Sequence, residues 1–435
     1  MRTIELFKHQ KEALDLTAGL NHVAYYHDQG LGKTFSGAEK LYELDAAVNL
    51  VICQKSKIDD WVEHFVKYYP EYEVCDLTSK GGYEMFVRDF DGGHRLSCYD
   101  SIIGIINYDL VWRRPELKDL KNFTLMLDES SLIQHEESKR SKFILKLKPD
   151  NVVLLSGTPT GGKYETLWSQ MHLLGWNISK ELYYNTYIDY HYDTRQGFPL
   201  RIIDGYKNVD RLKRKMREHG CHFLKTEDCI DLPAQIDQTV YVPATSKYKV
   251  FLKDRIVTIE GEELVGDTTL TKLLYERQLC GQYNQEKLEA FKDLVESTND
   301  RLIVFYNFNA ELDLLKTVCD SVERPYSLVN GQVKDLYAYE NLDDSVTLIQ
   351  YQAGAMGLNL QKANRIIYYT PPLSSELFEQ SKKRIHRIGQ DKTCFYYYLT
   401  CRSSVEERIY DVLAMRKDYT EALFENEAEV FDTDE

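Results

Sequence analysis

Residues 23–34 read VAYYHDQGLGKT, and this stretch decides the fold. A short apolar run leads into a glycine-rich loop, and the residues after the loop are typical of a helix. In such a strand–loop–helix segment the glycines let backbone N–H groups point at phosphate oxygens beside the helix N-terminus. Lys33 adds an ammonium for the β and γ phosphates, and Thr34 adds a hydroxyl for Mg²⁺. His27 replaces the first glycine of the general G-x-x-x-x-G-K-[ST] pattern, so a glycine-rich turn before a surface helix is the alternative interpretation.

Apolar runs of strand length recur along the chain and alternate with amphipathic stretches of helical length. The runs are Asn49–Cys53, Ile102–Ile106, Phe123–Leu127, Val152–Leu155, Leu302–Tyr306, Val346–Tyr351, Arg365–Tyr369 and Phe395–Leu399. Helices are predicted between them, for example over Thr34–Leu44 and Ala310–Cys319. Each run is almost continuously apolar, which is typical of strands buried on both faces of a parallel sheet. We therefore expect an α/β fold with two open parallel sheets.

The chain has 435 residues, which is enough for two to three domains. Residues 176–281 are polar, charged and rich in tyrosine, and they predict a mainly helical insertion and connector, with a joint near Asp231–Ala234. This leaves residues 1–175 as the first lobe, 282–424 as the second, and 425–435 as an acidic tail. The 32 tyrosines are spread along the chain, so we interpret them as packing residues and not as a base-stacking platform.

The composition excludes several classes of protein. With 43% apolar and 28% charged residues the chain is globular, and no apolar run is long enough to span a membrane. The nine cysteines include no C-x-x-C, which argues against a zinc site and for a cytoplasmic protein with reduced thiols. The net charge of −15 disfavours nucleic-acid binding, but Arg211–Arg217 has five basic residues in seven positions.

A second chemical signal is the apolar run that ends in two acids, Asp128 and Glu129. A carboxylate at the carboxyl end of a parallel strand can hold Mg²⁺ beside nucleotide phosphates, and the next carboxylate can orient the attacking water. Taken alone, such a pair is usually a solvated turn. After a phosphate loop, it predicts the second half of a nucleotide-hydrolysing site.

Two further segments are ambiguous by themselves. The sequence SGTP at Ser156–Pro159 follows an apolar run, and on its residues alone we interpret it as a plain turn. In Gln380–Gln390, Arg384 and Arg387 are three positions apart, which predicts that they share one helical face. Two aligned guanidinium groups can neutralise charge on a transferred phosphoryl group, although such runs are more often solvated faces or phosphate-backbone patches.

Taken together, the motifs resemble the Swi/Snf-type family of helicase superfamily two, in order and over nearly the whole chain. In the first half the resemblance lies in Leu6–Gln10, Gly30–Thr34, Val51–Trp61, Ile106–Asp109, Asp128–Glu129 and Ser156–Pro159. In the second half it lies in Leu302–Asn307, Gly354–Leu360, Gln380–Gln390 and Ser404–Ile409. The pattern Q-x-x-x-R-x-x-R-I-G-Q at Gln380–Gln390 is the most specific of these.

The resemblance implies two RecA-like lobes, ATP and Mg²⁺ as cofactors, and an ATP-dependent motor that translocates on double-stranded DNA or remodels protein–DNA complexes. The residues implied to bind nucleotide are Gln10, which would read adenine, and Gly30, Gly32, Lys33, Thr34 and Gly357. Thr34 and Asp128 would hold Mg²⁺, and Glu129 would position water. Arg384 and Arg387 would act from the second lobe. The expected DNA contacts are Lys55, Ser56, Asn307, Arg211, Lys213, Arg214, Lys215 and Arg217, and a solvated helix face is an equal alternative for the last five.

The sequence departs from the family pattern at one motif. Asp128-Glu129-Ser130-Ser131 stands in place of D-E-A-H, so any coupling role of the histidine is absent or replaced. Because the resemblance covers a motor without added modules, we expect a compact prokaryotic or viral type. The alternatives in function are a strand-separating helicase on forked or branched DNA and an ATP-gated module that binds a protein partner. Stimulation of ATP hydrolysis by duplex over single-stranded DNA separates these hypotheses.

Overall fold

The structure is a computed structural model that describes residues 4–90, 101–194, 199–259, 261–354 and 358–424. The described residues form two compact units: unit 1 has residues 4–229 and 419–424, and unit 2 has residues 230–418. Each unit contains its own seven-stranded sheet. Within the described part of the chain, no helix has both the length and the apolar character needed to cross a bilayer.

The strands of unit 1 are β1 (His22–His27), β2 (Val48–Cys53), β3 (Tyr72–Asp76), β4 (Ser101–Asn107), β5 (Phe123–Asp128), β6 (Asn151–Ser156), β7 (Ile188–Asp193), β8 (Leu200–Tyr206) and β9 (Cys221–Leu224). Its helices are α1 (Lys8–Leu16), α2 (Lys33–Glu43), α3 (Ile58–Tyr68), α4 (Lys80–Phe90), α5 (Tyr108–Val111), α6 (Lys139–Ile144), α7 (Trp168–Leu173), α8 (Lys180–Tyr187) and α9 (Val209–Glu218).

The sheet of unit 1 has the strand order β3-β4-β2-β5-β6-β1-β9, and every neighbouring pair is parallel. Val23 and Tyr25 of β1 enter the core on one face, and Ala24 and Tyr26 enter it on the other. Helices pack on both faces, so the central strands β2, β5 and β6 are almost continuously apolar, as predicted. The carboxyl ends of β5, β6 and β1 are neighbours at one edge of this sheet.

The strands of unit 2 are β10 (Gln235–Val242), β11 (Ile256–Ile259), β12 (Glu262–Val265), β13 (Leu302–Tyr306), β14 (Tyr326–Val329), β15 (Lys334–Asp335), β16 (Val346–Gln350), β17 (Arg365–Tyr368) and β18 (Cys394–Cys401). Its helices are α10 (Ser246–Asp254), α11 (Thr269–Gly281), α12 (Gln285–Glu296), α13 (Asn309–Ser321), α14 (Tyr337–Asn341), α15 (Tyr351–Gly354), α16 (Ser375–Lys382) and α17 (Val405–Phe424), whose last residues belong to unit 1.

The sheet of unit 2 has the order β10-β18-β17-β13-β16-β14-β15, and it is parallel except for the last pair. The predicted α/β class with two parallel sheets is therefore confirmed. The apolar runs of both halves are strands within one or two residues of the predicted bounds. The predicted helices over 34–44 and 310–319 correspond to α2 and α13.

Residues 176–281 differ from the mainly helical segment that the sequence predicts. They contain strands β7 to β12 as well as helices, and the two units divide this segment after Cys229. β9 extends the first sheet by pairing with β1, and β10 extends the second by pairing with β18. β10 is exposed along most of its length. A strand at the edge of a sheet does not need to be apolar on both faces. The polar composition of β10 therefore gave no strand signal in the sequence.

Candidate active site

The phosphate loop connects the carboxyl end of β1 to the first turn of α2. Gly30 and Gly32 have φ angles of +92° and +71°, in the left-handed region that favours glycine. At Gly32 an added Cβ would also lie 2.4 Å from Nε2 of Gln10. Because the first N–H groups of a helix have no partner inside the helix, this end of α2 offers donors to a phosphate.

His27, the residue that breaks the loop pattern, is fully buried, and its ring points towards β9. Its Nε2 lies 2.8 Å from Nδ1 of His222 on that strand. Burial, followed by the neighbouring His222 and Lys33, holds the pKa of His27 well below its usual range, so the ring is neutral at pH 7. His27 accepts the Lys33 hydrogen bond through its backbone carbonyl, which any residue supplies, so a histidine can replace the glycine here.

Lys33 reaches back across the loop to the end of β1. Its Nζ donates to the carbonyl oxygens of His27, at 2.8 Å, and Asp28, at 3.1 Å. An added Cβ at Gly157 would lie 3.4 Å from the same nitrogen. The ammonium therefore lies between the phosphate loop and the turn that follows β6.

Gln10, predicted to read adenine, supports the phosphate loop in this structure. Its Nε2 donates to the carbonyl oxygens of Leu31 and Gly32 at 3.3 and 3.0 Å, and its Oε1 accepts from the N–H of Phe7 at 2.9 Å. Gln10 is buried. These contacts place the glutamine against the loop, and adenine recognition stays a prediction.

Asp128 lies at the carboxyl end of β5, and Trp61 of α3 donates its indole N–H to the carboxylate at 2.9 Å. Burial raises the pKa of Asp128, while the Trp61 hydrogen bond and the charge of Lys33 oppose that rise. The carboxylate is thus held in one orientation and lies near the lysine of the loop. Thr34, its predicted partner for Mg²⁺, is exposed on the first turn of α2.

Glu129 has a left-handed backbone conformation, with φ of +56°, which is unusual for a residue other than glycine. The Tyr108 hydroxyl donates to the carbonyl oxygens of Asp128 and Glu129 at 2.9 and 3.3 Å. Ser156 Oγ donates to Glu129 Oε2 at 3.4 Å. A strained backbone conformation persists only where the surrounding structure stabilises it. The contacts with Tyr108 and Ser156 therefore fix the orientation of the Glu129 turn.

The SGTP turn, interpreted from its own residues as a plain turn, lies at the site. Ser156 contacts Glu129, and an added Cβ at Gly157 would lie 3.1 Å from Cγ of Gln29 and 3.4 Å from the Lys33 ammonium. The strand order explains this placement, because β6 lies between β5 and β1. The sequence analysis also missed Trp61 as the hydrogen-bond partner of Asp128, because no pattern around either residue indicates that the two side chains meet.

The arginines of Gln380–Gln390 differ from the predicted helical face. Helix α16 ends at Lys382, so Arg384 and Arg387 lie in the turns that follow it. Gly389 has φ of +91°, and Gln390 Nε2 donates to the carbonyls of residues 361, 363 and 385. These contacts stabilise a compact turn in place of a longer helix. Arg384 is buried, and Arg387 donates to Oδ1 of Asn359.

The remaining predicted nucleotide and DNA residues divide into three groups. Gly357 lies outside the described residues. Lys55 and Ser56 are exposed just after β2, as a DNA contact requires. The Asn307 amide instead donates to the Thr370 carbonyl and hydroxyl and to the carbonyl of Pro371, so it joins two loops of unit 2.

The basic segment lies on α9, and its side chains are not equivalent. Arg211 and Arg214 are exposed, whereas Lys213 is buried. Lys215 pairs with Glu218, and Arg217 packs against the ring of Phe223. Only part of the predicted cluster is therefore available to a polyanion, and Lys213 is not.

Unit 2 holds a buried group of side chains that the cysteine spacing does not reveal. The ligand atoms of Cys280, Cys401 and Glu406 lie within 4.8 Å of one another. Glu406 is already paired with the buried ammonium of Lys287, and burial raises the pKa of Cys280, which keeps its thiol protonated. Both features oppose metal binding, and the absence of zinc stays a prediction.

Comparison with known families decides the assignment of this chain. The model of the SNF2-related domain matches residues 9–285, and that of the helicase conserved C-terminal domain matches residues 286–389. The chain belongs to the SNF2-related family. The Swi/Snf resemblance is thereby confirmed, and the compact prokaryotic or viral type stays a prediction.

Similar curated proteins are longer than this chain. SWI/SNF-related matrix-associated actin-dependent regulator of chromatin subfamily A member 1 of Mus musculus is 23% identical over 88% of this chain and 40% of its own length. The ISWI chromatin-remodeling complex ATPase ISW2 of Saccharomyces cerevisiae is 24% identical over 89% of this chain and 38% of its own length. A solved structure, the Sulfolobus solfataricus SWI2/SNF2 ATPase core in complex with dsDNA, covers 100% of this chain and 96% of its own, with 19% identity and a TM-score of 0.44. The chain thus spans less than half the length of the curated relatives.

Proposed function

We propose that this chain is an ATP-dependent motor that hydrolyses ATP on double-stranded DNA and uses the energy to translocate or to remodel protein–DNA complexes. The observation that carries the proposal is the convergence of three loops at neighbouring strand ends in a member of the SNF2-related family. They are the phosphate loop after β1, the Asp128–Glu129 turn after β5 and the SGTP turn after β6.

The residues at this edge fit ATP and Mg²⁺. The α2 N-terminus and Lys33 supply N–H donors and a positive charge for the phosphates. Asp128 and the exposed Thr34 hydroxyl are oxygen ligands of the type that Mg²⁺ prefers, and Trp61 orients Asp128. Bound Mg²⁺ would neutralise charge on the β and γ phosphates. Glu129, held by Ser156, would orient the attacking water.

The test measures ATP hydrolysis by the wild type with duplex, single-stranded and forked DNA and with RNA. We expect duplex DNA to stimulate hydrolysis most, and we expect the protein to displace a third strand from a triplex without separating the duplex. Greater stimulation by forked DNA with strand separation would favour the helicase. Hydrolysis that no nucleic acid stimulates would contradict the motor and favour the protein-binding module.

A variant pair checks the site itself. Lys33→Ala should lower turnover by about 10²–10³-fold, as the loss of a charge-stabilising donor does elsewhere. Lys11→Ala removes an exposed lysine from α1 of the same unit and should leave turnover unchanged. Near-normal hydrolysis by folded Lys33→Ala would refute the assignment of the phosphate loop.

A further inference from the structure

Gln170 of α7 is fully buried, and its carboxamide contacts the end of β1 and the turns that follow β5 and β6. Its Oε1 accepts hydrogen bonds from the hydroxyls of Tyr26, at 2.9 Å, and Ser130, at 2.7 Å. Its Nε2 donates to the carbonyl oxygen of Pro159 at 2.8 Å. None of the sequence motifs includes this residue.

The partners determine how the amide is oriented. A proline carbonyl can only accept, so the amide nitrogen must face Pro159. The amide oxygen then faces Tyr26 and Ser130, whose hydroxyls both donate to it. A carboxamide satisfies this combination of two donors and one acceptor, whereas an apolar side chain of the same size would leave all three groups buried without that partner.

Each partner is next to a group that the proposed reaction uses. Tyr26 precedes His27, whose carbonyl accepts from Lys33. Ser130 follows Glu129 directly, and Pro159 closes the SGTP turn. Gln170 therefore connects the end of β1 with the turns after β5 and β6 through a single planar group.

We propose that Gln170 is a positioning residue for ATP hydrolysis, which holds the Glu129 turn in register with the phosphate loop and the SGTP turn. The inference rests on the proposed function. It also accounts for the departure from D-E-A-H at residues 128–131, because Ser130 gives that segment a hydroxyl link to the SGTP turn through Gln170. Glu129 depends on this support because its left-handed backbone is strained.

The main test is Gln170→Leu in the full chain, with turnover and nucleotide affinity measured separately. Turnover at saturating ATP should fall about 10- to 100-fold, as it does when a group that supports a catalytic residue is removed. The affinity for ATP should change less than about threefold, because Lys33 and the α2 N-terminus remain in place. Ser169→Ala is the matched control, since Ser169 is the buried neighbour on α7 and its hydroxyl has no hydrogen-bond partner among the described residues.

A coupling measurement separates positioning from simple destabilisation. Ser130→Ala should also lower turnover, and the double variant with Gln170→Leu should be no slower than Gln170→Leu alone, because both changes remove the same hydrogen bond. Additive losses would overturn the proposal. So would wild-type turnover by folded Gln170→Leu, or a loss confined to ATP affinity.

If Gln170→Leu fails to fold, Ser130→Ala and Tyr26→Phe replace it, since each removes one hydroxyl and little volume. Lower turnover with unchanged ATP affinity in both supports the proposal, and wild-type turnover in both overturns it. The wild type provides the separate check on the function. If it hydrolyses no ATP with any nucleic acid, the proposed function fails, whereas an active wild type matched by its variants refutes only the role of Gln170.

Discussion

The buried ion pair of unit 2 allows a quantitative prediction of stability. Lys287 of α12 places Nζ 2.5 Å from Oε1 of Glu406 in the first turn of α17, and both side chains are at most 1% exposed. The other carboxylate oxygen accepts from the N–H of Cys401 at 2.9 Å. The pair therefore joins two helices and the end of β18 inside the core.

Lys287→Met keeps the aliphatic stem and removes the charge, which leaves the carboxylate buried without its cation. Breaking a buried pair in this way costs about 3–5 kcal/mol. Unit 2 spans residues 230–418, and for domains of that size about 1 kcal/mol moves the melting temperature by about 2–4 °C. We therefore expect a decrease of roughly 6–20 °C. The double change with Glu406→Leu should recover most of this loss, because no lone charge remains.

Differential scanning calorimetry of the full chain measures the effect. The matched control is Lys292→Met on the same helix, since Lys292 and Glu296 form an exposed pair at 3.9 Å. That change should cost less than about 1 kcal/mol. A decrease of less than about 1 kcal/mol in the free energy of unfolding of Lys287→Met would refute the reasoning, because a buried carboxylate without its cation should destabilise the fold by more than that.

The same pair predicts a pH dependence with a definite sign. Burial lowers the pKa of Lys287, but attraction to Glu406 outweighs it and raises the pKa above the ordinary 10.5. A lysine whose pKa is raised by folding contributes stability that is complete below its unfolded pKa and is lost as the pH rises through the folded value. The wild type should therefore lose the contribution of the pair only above about pH 10.5, and the double variant should lack this alkaline loss.

Three further predictions concern the proposed motor. Glu129→Gln should keep ATP and Mg²⁺ bound but slow hydrolysis about 10²–10⁴-fold, and lost binding with surviving turnover would give Glu129 a ligand role instead. Arg387→Lys should impair hydrolysis nearly as much as Arg387→Ala, by about 10³–10⁵-fold, because lysine lacks the planar fork; normal turnover with duplex DNA in Arg387→Ala would show that Arg387 does not neutralise charge on the transferred phosphoryl group. Replacing Arg211 and Arg214 by Ala should reduce the slope of the logarithm of DNA affinity against the logarithm of salt concentration by about 1.8. Lys213→Ala, at a buried position, should not change this slope.

The strands of both sheets were predictable because their signal is local. Leu302–Tyr306 is apolar at every position and Phe123–Leu127 at every position but Thr124, which is typical of a strand covered on both faces. The phosphate loop was predictable for a related reason, since its glycines meet a backbone requirement at their own positions. The chemistry of these segments can be read without knowing what lies beside them.

Strand β9 illustrates what local reasoning cannot find. Cys221–Leu224 has four residues and no periodicity, and its pairing with β1 joins positions almost two hundred residues apart. Its effect on the site is nonetheless direct, because His222 provides the ring against which His27 is buried. The prediction of a helix through Arg384 and Arg387 was wrong for a different reason. The three-residue spacing of Arg384 and Arg387 fits a helix, but the contacts of Gln390 with distant carbonyls favour a turn.

The SGTP turn shows why a candidate site depends on topology as well as on motifs. On its own residues this segment is a turn, and that description is correct. It becomes part of a site because β6 lies between β5 and β1, so that Ser156 binds Glu129 while Gly157 lies beside the Lys33 ammonium. The same strand order lets one amide, that of Gln170, reach the end of β1 and the turns after β5 and β6. The residues proposed to take part in the reaction can be recognised from their type and spacing in the sequence. The residues that orient them depend on which strands are neighbours in the sheet, and the strand order cannot be derived from a single sequence.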